Sequence, residues 1–242
     1  MLLFKDIYNK AINLFDDPII QKAYVEDTVR WEKLMYPYLE NGVALFVNPT
    51  KIAYLLIDQT PPQGKFELFE GNGTDTYALT TTPVEGSDFS FLIDGAFDYG
   101  AQYLPGSNSV KFSKTINSEQ QCSVEWYFAG KFNTDFSSAA SPTVPASVIA
   151  YKVKEILSRA LVLNWATDEQ NFLLDIKNVL TDTDFKIYSP ANSIRAKVEW
   201  KKSIEYEFDT LKTNLGWELF SRKHHGGSYY GWWEGNNFCL IW

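Results

Sequence analysis

The stretch that decides the fold is residues 66–128, FELFEGNGTDTYALTTTPVEGSDFSFLIDGAFDYGAQYLPGSNSVKFSKTINSEQQCSVEWYF. Short runs in which apolar and polar residues alternate are separated here by turn signals such as Gly71-Asn72-Gly73 and Asp94-Gly95. A period of two is typical of strands that bury one face. The alternating apolar residues are Phe66, Leu68, Tyr77, Leu79, Phe89, Phe91, Ile93, Val110, Phe112, Val124, Trp126 and Phe128. The pattern predicts about five or six short strands in a small antiparallel sandwich or barrel.

The residues before this stretch show the apolar spacing of helices. Asp17 followed by Pro18 predicts a helix start, because Asp is a favoured N-cap and proline suits the first helical position. The apolar run that follows predicts one helix up to Gly42. A second start is predicted at Asn48-Pro49.

Helical spacing returns after a Ser/Ala/Pro/Thr connector at residues 134–145. The pattern predicts one helix around Ile149–Leu161 and a second, short helix over Asp168–Leu180. A third is expected to open at Ser189-Pro190 and to end at Gly216.

These segments predict an α+β protein in which a small antiparallel β-sandwich or barrel is inserted into a helical, bundle-like domain. Residues 1–63 and 142–216 are expected to form the two halves of the helical domain, and residues 64–134 the inserted module. Residues 217–242 form an aromatic-rich C-terminal extension. Insertion between two halves of one domain is expected where exposed loop ends lie close together.

Composition narrows the classes of function. The net charge of −8 disfavours tight binding of nucleic acid, because an acidic surface repels phosphate. It is compatible with the wall of a passage through which DNA slides. Aromatic residues make up 16% of the chain, which suggests packing against other proteins. We expect a soluble chain without a membrane span, made in a reducing cytoplasm, because Cys122 and Cys239 lie far apart and outside any CxxC pattern.

The sequence offers little material for catalysis, and we predict no enzyme, no metal site and no cofactor. His224 and His225 are adjacent, so their side chains diverge and bind one metal poorly. Cys122 opens an alternating strand, where a structural thiol is common. Phosphate-loop, dinucleotide, GxSxG and HExxH motifs are missing. The acidic pairs Asp16-Asp17 and Asp182 with Asp184 are interpreted as helix caps rather than catalytic or calcium-binding groups.

Large aromatics in the C-terminal extension predict a subunit interface, because buried aromatics often anchor protein contacts. The candidate interface residues are Trp217, Tyr229, Tyr230, Trp232, Trp233, Phe238 and Trp242. Trp232 and Trp233 also allow an alternative, a sugar-stacking platform of the kind used in host recognition.

The β stretch resembles a small module found in neck, tail and fibre proteins of tailed bacteriophages. The resemblance covers about 60 residues and depends on a Gly-x-Gly-Thr turn, an Asp-Gly turn and the aromatic positions between and after them. Its signature residues are Phe69, Gly71, Gly73, Thr74, Asp94, Gly95, Tyr103, Phe112 and Trp126. The helical flanks, at LFKDIYNKAINLFDDP, MYPYL and TDTDFKIYSP, resemble those of head–tail connector (adaptor) proteins.

The resemblance implies a structural virion protein of the phage neck that is assembled in the host bacterial cytoplasm. Such a subunit would form a ring of about a dozen copies that joins the portal protein to other neck or tail proteins. Viral DNA would pass through the ring without sequence-specific binding. An alternative is a tail-tip, baseplate or fibre-attachment protein that binds host glycans through the β module or the C-terminal aromatics.

Overall fold

The computed structural model describes residues 1–142, 144–180 and 190–220, with side chains for 1–142, 144–171 and 195–219. The architecture is α+β, as predicted: helices and antiparallel strands occupy different parts of the chain. The helices are α1 (Phe4–Ala11), α2 (Pro18–Glu26), α3 (Thr28–Ala44), α4 (Thr50–Leu55), α5 (Ala146–Leu180) and α6 (Pro190–Phe220). Within the described segments, no helix has both the length and the apolar character needed to cross a membrane.

Helices α2 and α3 begin at aspartate caps. The Asp17 carboxylate accepts a hydrogen bond from the Ile19 N–H at 2.8 Å, and Pro18 occupies the first turn, as predicted. Asp27 accepts from the Arg30 N–H at 3.0 Å and starts α3. The single helix expected from Ile19 onward is therefore wrong: Asp27 divides it in two, because its carboxylate satisfies an N–H that has no partner within the new helix.

Three further helix boundaries differ from the sequence predictions. Gly42 lies inside α3 and is buried, so it does not end the helix. The two helices predicted between residues 149 and 180 are one continuous helix, α5. Gly216 does not end α6, which runs on to Phe220 and includes Trp217. Glycine stops a helix when the chain turns left-handed there, and neither Gly42 nor Gly216 has a positive φ.

The strands are β1 (Leu2–Leu3), β2 (Gln59–Thr60), β3 (Gln63–Glu70), β4 (Thr74–Ala78), β5 (Asp88–Ile93), β6 (Ala96–Phe97), β7 (Gln102–Leu104), β8 (Ser109–Ile116), β9 (Gln121–Phe128) and β10 (Lys131–Phe132). They form a four-stranded sheet in the order β3-β9-β5-β6 and a three-stranded sheet in the order β4-β8-β7. Every pairing is antiparallel. In the described part of the chain these sheets do not close into a barrel.

Two separate hydrophobic clusters hold the chain together. The larger cluster joins α1, α3, α4, α5 and α6 and includes Tyr127 and Phe132 from the last two strands and Ala129 between them. The smaller cluster lies among the strands and draws side chains from both the four-stranded and the three-stranded sheet, with Val110, Phe112 and Val124 among its most buried members.

A third, small sheet in the order β1-β10-β2 connects the two clusters. Through β2 the chain enters the segment of strands, and through β10 it leaves that segment. Gly130, between β9 and β10, has a φ of +99°, and a Cβ there would lie 2.7 Å from the Phe4 ring. This glycine allows the chain to pass against α1 as it returns to the helices.

Candidate interaction surface

Strand β3 displays two apolar side chains outward, those of Phe66 and Leu68. Phe66 is 55% exposed and Leu68 is 57% exposed, whereas Glu67 between them is buried. The expectation that Phe66 and Leu68 bury their side chains as part of the alternating pattern is therefore wrong. A half-buried strand usually turns its apolar side chains to the core and its charged side chains to solvent. These three residues of β3 have the opposite arrangement, which indicates that the exposed face is a contact surface.

The inward Glu67 is held by the loop that follows β4. Its two carboxylate oxygens accept hydrogen bonds from the Thr80 N–H at 2.9 Å and the Thr80 hydroxyl at 2.8 Å. Burial alone raises the pKa of Glu67, but these hydrogen bonds and the Lys65 ammonium bring the pKa below its ordinary value. Inward charge on an edge strand discourages edge-to-edge pairing, so the face of β3 and not its edge is the better contact surface.

The exposed side chains of β3 continue across the sheet as one row. In the strand register Leu68 pairs with Ser123, Ser123 pairs with Leu92, and Leu92 pairs with Phe97. Paired residues of neighbouring strands point to the same face. Leu68, Leu92 and Phe97, together with Phe66 in the next register position, are called here the apolar row.

The helices cover the other end of the same face. Lys33 of α3 forms an ion pair with Glu125 and lies over the Tyr127 ring, 5.5 Å from its centroid. Lys5 of α1 forms an ion pair with Asp88 at 2.5 Å. Asp88 and Tyr127 are cross-strand partners, and Tyr127 belongs to the helical core. One end of the face is thus an internal interface, and the apolar row continues from it into solvent.

A depression of about 430 Å³ adjoins the apolar row and gives it an acidic rim. Its lining includes Leu68 and Leu92 together with the acidic residues Asp94 and Glu119. The carboxylate of Asp94 accepts hydrogen bonds from the Gln121 N–H at 2.9 Å and the Gln120 side chain at 2.8 Å, which lower its pKa. This side of the surface is therefore negatively charged at neutral pH.

The turn residues of the signature shape the outer ends of the strands. Gly71 packs so tightly on the next turn that a Cβ there would lie 1.7 Å from the Asn117 carbonyl oxygen. Gly73 has a φ of +78°, and the Thr74 N–H donates to the Asn72 side chain at 3.1 Å. In the second turn, Asp94 and Gly95 both have positive φ, 51° and 81°.

The aromatic residues of the signature face the interior of the strand segment. Phe112 is buried in the smaller cluster, and Phe69 and Tyr103 pack against it from the edge. The Tyr103 ring stacks on Phe89 at 4.8 Å between centroids. Trp126 is buried, and its indole N–H has no hydrogen-bond partner. These four residues support the fold and do not belong to the exposed surface.

Of the predicted interface residues, only Trp217 falls in the part of the chain that the structure describes. Its side chain is 64% exposed on the last turn of α6. It lines a groove of about 710 Å³ between the start of α4, at Pro49 and Lys51, and the end of α6, at Lys212 and Leu219. Tyr229, Tyr230, Trp232, Trp233, Phe238 and Trp242 lie outside the described residues.

The candidate catalytic residues that the structure describes lie in surroundings typical of residues that support the fold. Cys122 is buried, and burial raises the pKa of its thiol to about 11, so the nucleophilic thiolate is scarce at neutral pH. Asp17 caps α2. Across residues 1–142, 144–171 and 195–219, no three metal-ligating side chains come together. His224, His225, Cys239, Asp182 and Asp184 lie outside the described residues.

In comparisons with known proteins, no family model, no curated protein and no solved structure matches this chain. The resemblance to phage neck proteins therefore stays a prediction.

Sequence reasoning missed the apolar row because a period-two pattern does not fix which face is buried. The segment Lys65-Phe66-Glu67-Leu68-Phe69 permits two phases, one burying Phe66 and Leu68 and the other burying Phe69. The signal that distinguishes them is distant in sequence: Thr80 supplies both hydrogen bonds that a buried Glu67 requires.

Proposed function

We propose that this chain is a structural subunit of the neck of a tailed bacteriophage, a connector that joins the portal to the tail. The observation that carries the proposal is the apolar row: the protein exposes Phe66, Leu68 and Phe97 while it buries the charge of Glu67 on β3. A monomeric protein gains nothing from this arrangement, whereas a subunit that packs against neighbouring chains does.

The fold supports separate roles for the helices and for the strands within such a subunit. The helices with their own core would form a bundle-like body, and the two sheets that share the smaller core would form a β-sandwich module inserted between β2 and β10. The body would build a ring of about a dozen copies through repeated head-to-tail contacts that close. The module would present the apolar row to a neighbouring copy, the portal or a tail protein.

The negative charge of the chain supports a role in lining a DNA passage without binding the DNA tightly. With a net charge of −8, the surface would repel phosphate and let viral DNA slide through the ring. The role is that of a virion scaffold assembled in the host bacterial cytoplasm, and it involves neither catalysis nor a cofactor.

The location of the chain in a virus particle tests the proposal. Antibodies raised against the purified chain would be applied with gold label to particles from a host strain that carries its gene. Label at the junction of head and tail is expected. Label confined to the tail tip would favour the alternative below, and particles that contain none of the chain would refute both.

The alternative, a tail-tip, baseplate or fibre-attachment protein that binds host glycans, has one specific observation in its favour. Phe97 and Tyr99 stack at 5.8 Å between centroids, and Tyr99 is 78% exposed. Both rings line a cleft of about 260 Å³ with Asp27 and Asp98. Exposed aromatic faces beside carboxylates suit a sugar ring, whose C–H face stacks and whose hydroxyls donate.

Glycan-array binding by the full chain distinguishes this alternative. Binding that is lost in Tyr99→Ala and kept in Tyr54→Ala, an equally exposed tyrosine on α4, would support it. An array without any binding would leave the neck proposal as the better account.

A further inference from the structure

The carboxyl group of Glu32 lies buried and unpaired at the joint between the helices and the strand segment. Glu32 is 0% exposed, and neither of its oxygens has a hydrogen-bond partner. It sits on α3, the helix that packs against β5 and β9. The next residue, Lys33, pairs with Glu125 of β9. A charge buried without a partner is costly, so such a group stays neutral or disturbs its surroundings.

The groups that interact electrostatically with Glu32 come from two neighbouring helices and two strands. They are Lys5 and Tyr8 of α1, Tyr24 of α2, Asp88 of β5 and Tyr127 of β9. The Tyr8 hydroxyl is itself buried without a partner. Lys5, the one cation among them, is already paired with Asp88. The joint thus places one carboxyl near aromatic hydroxyls and leaves its negative charge only partly compensated, by Lys5.

These surroundings favour the protonated carboxyl. Burial and then the Asp88 charge raise the pKa of Glu32 to about 8, and Lys5 opposes them only in part. Burial also raises the pKa of Tyr8 and Tyr127, and that of Tyr24 to about 12, so these hydroxyls keep their protons while Glu32 titrates.

We propose that Glu32 is a proton-operated latch: the joint between the helices and the strand segment stays closed while the carboxyl holds its proton and loosens when the proton leaves. The ionised carboxylate recovers its hydration only if water reaches it, and a separation of α3 from β5 and β9, the strands it packs against, would admit water. The inference concerns the internal joint alone and does not depend on the proposed function.

The direction of the pH effect follows from linkage. The closed joint binds the Glu32 proton more tightly than an open joint, in which the pKa returns to the ordinary value of 4.5. The stabilisation is therefore complete below pH 4.5 and is lost as the pH rises towards about 8. Within this window the opening equilibrium constant should rise by about tenfold for each pH unit, because one proton is released on opening.

Hydrogen–deuterium exchange on the full chain at pH 6 and pH 8 tests the latch, with rates corrected for the intrinsic effect of pH. Amides of α3, β5 and β9 should open about fiftyfold more at pH 8 than at pH 6 in the wild type, because the closed joint is already half ionised at pH 8. In Glu32→Gln, which keeps the shape without the charge, this rise should vanish. Glu40→Gln, an exposed glutamate of the same helix, is the matched control and should respond like the wild type.

Two results would overturn the latch: a wild type whose joint opens equally at both pH values, or a Glu32→Gln variant with the wild-type response. Should Glu32→Gln fail to fold, carbon NMR of carboxyl-labelled wild-type protein decides. A Glu32 titration with its midpoint near 8 supports the proposal, and a midpoint near 4.5 refutes it.

Discussion

Gly42 of α3 packs directly against Ala160 of α5. A Cβ placed on Gly42 would lie 3.0 Å from the Ala160 Cβ and 3.4 Å from the Ala160 carbonyl carbon. Both residues are buried, and Ala160 belongs to the helical core. The absence of side-chain atoms at Gly42 therefore sets how closely the two helices approach. This close approach explains why a residue with poor helix propensity is found inside α3.

Substitution of Gly42 by leucine should lower the free energy of unfolding by about 1–3 kcal/mol, because the added side chain has no room between α3 and α5. Gly42→Ala should be nearly neutral, since a gain in helix propensity of about 1 kcal/mol is offset by pressure on Ala160. Urea denaturation followed by circular dichroism measures both changes.

Two controls separate packing from helix propensity. In an Ala160→Gly background, Gly42→Ala should become stabilising, because the opposing methyl group is gone. Gly216→Ala on α6 should stabilise the chain by about 0.5–1 kcal/mol, since a Cβ there meets no atom within 4 Å. If Gly42→Leu and Gly216→Leu had the same effect, the close approach of the helices would not matter.

The two glycines of the first signature turn should differ in their tolerance of alanine. A Cβ on Gly71 would overlap the backbone carbonyl of Asn117, which has no flexible atoms to yield, so Gly71→Ala should cost about 3 kcal/mol or more. Gly73 has open space around it but a φ of +78°, so Gly73→Ala should cost only about 1–2 kcal/mol.

Thermal melts of the two variants measure this ranking. Gly73→Asn serves as the matched control, because asparagine tolerates positive φ and should recover most of the loss. Equal melting temperatures for Gly71→Ala and Gly73→Ala would contradict the contact with Asn117.

Glu67 should make the strand segment sensitive to acid. Its folded-state pKa lies below the ordinary value of 4.5, so its contribution to stability is present above pH 4.5 and is lost as the pH falls through the lower folded-state value. Protonation turns one of the two accepting oxygens into a hydroxyl and removes the negative charge, which weakens the hydrogen bonds from the Thr80 N–H and hydroxyl. Glu67→Gln should lower stability at neutral pH and flatten the acid limb of a stability–pH curve measured by denaturant unfolding. An unchanged acid limb would assign the sensitivity to other carboxylates.

The sequence predicted the elements whose signals are local. The Asp17-Pro18 cap and the Gly71–Gly73 turn follow from the chemistry of adjacent residues, and both are confirmed. The continuity of α5 was not predictable in this way. The predicted break between Leu161 and Asp168 does not occur: the Thr167 hydroxyl there donates to the Leu163 carbonyl at 2.7 Å, within the continuous helix.

The candidate surface was less predictable than the fold, because it depends on contacts that are distant in sequence. Which face of β3 is buried depends on Thr80, and the covered end of the sheet depends on Lys5 and Lys33 from the helices. Glu32 shows the same limit. Its neighbours within α3 do not reveal that β5 and β9 will enclose it.

The apolar row should drive self-association without contributing to the stability of the single chain. Full burial of a large apolar side chain is worth about 1.5–3 kcal/mol, and 1.4 kcal/mol is tenfold in an equilibrium constant. Phe66→Ser combined with Leu68→Ser should therefore weaken association by at least about a hundredfold. The melting temperature of the dilute chain should barely change, because both side chains are more than half exposed in it.

Sedimentation velocity over a series of rising protein concentrations measures this association. The matched control is Ile57→Ser, which removes a side chain that is 70% exposed and lies off the sheet, after α4. The control should associate like the wild type, because loss of a single exposed apolar group outside the contact changes nothing that the neighbour touches. If the double variant and the control weakened association equally, general surface hydrophobicity would explain the association. The exposed face of β3 would then not be the contact surface.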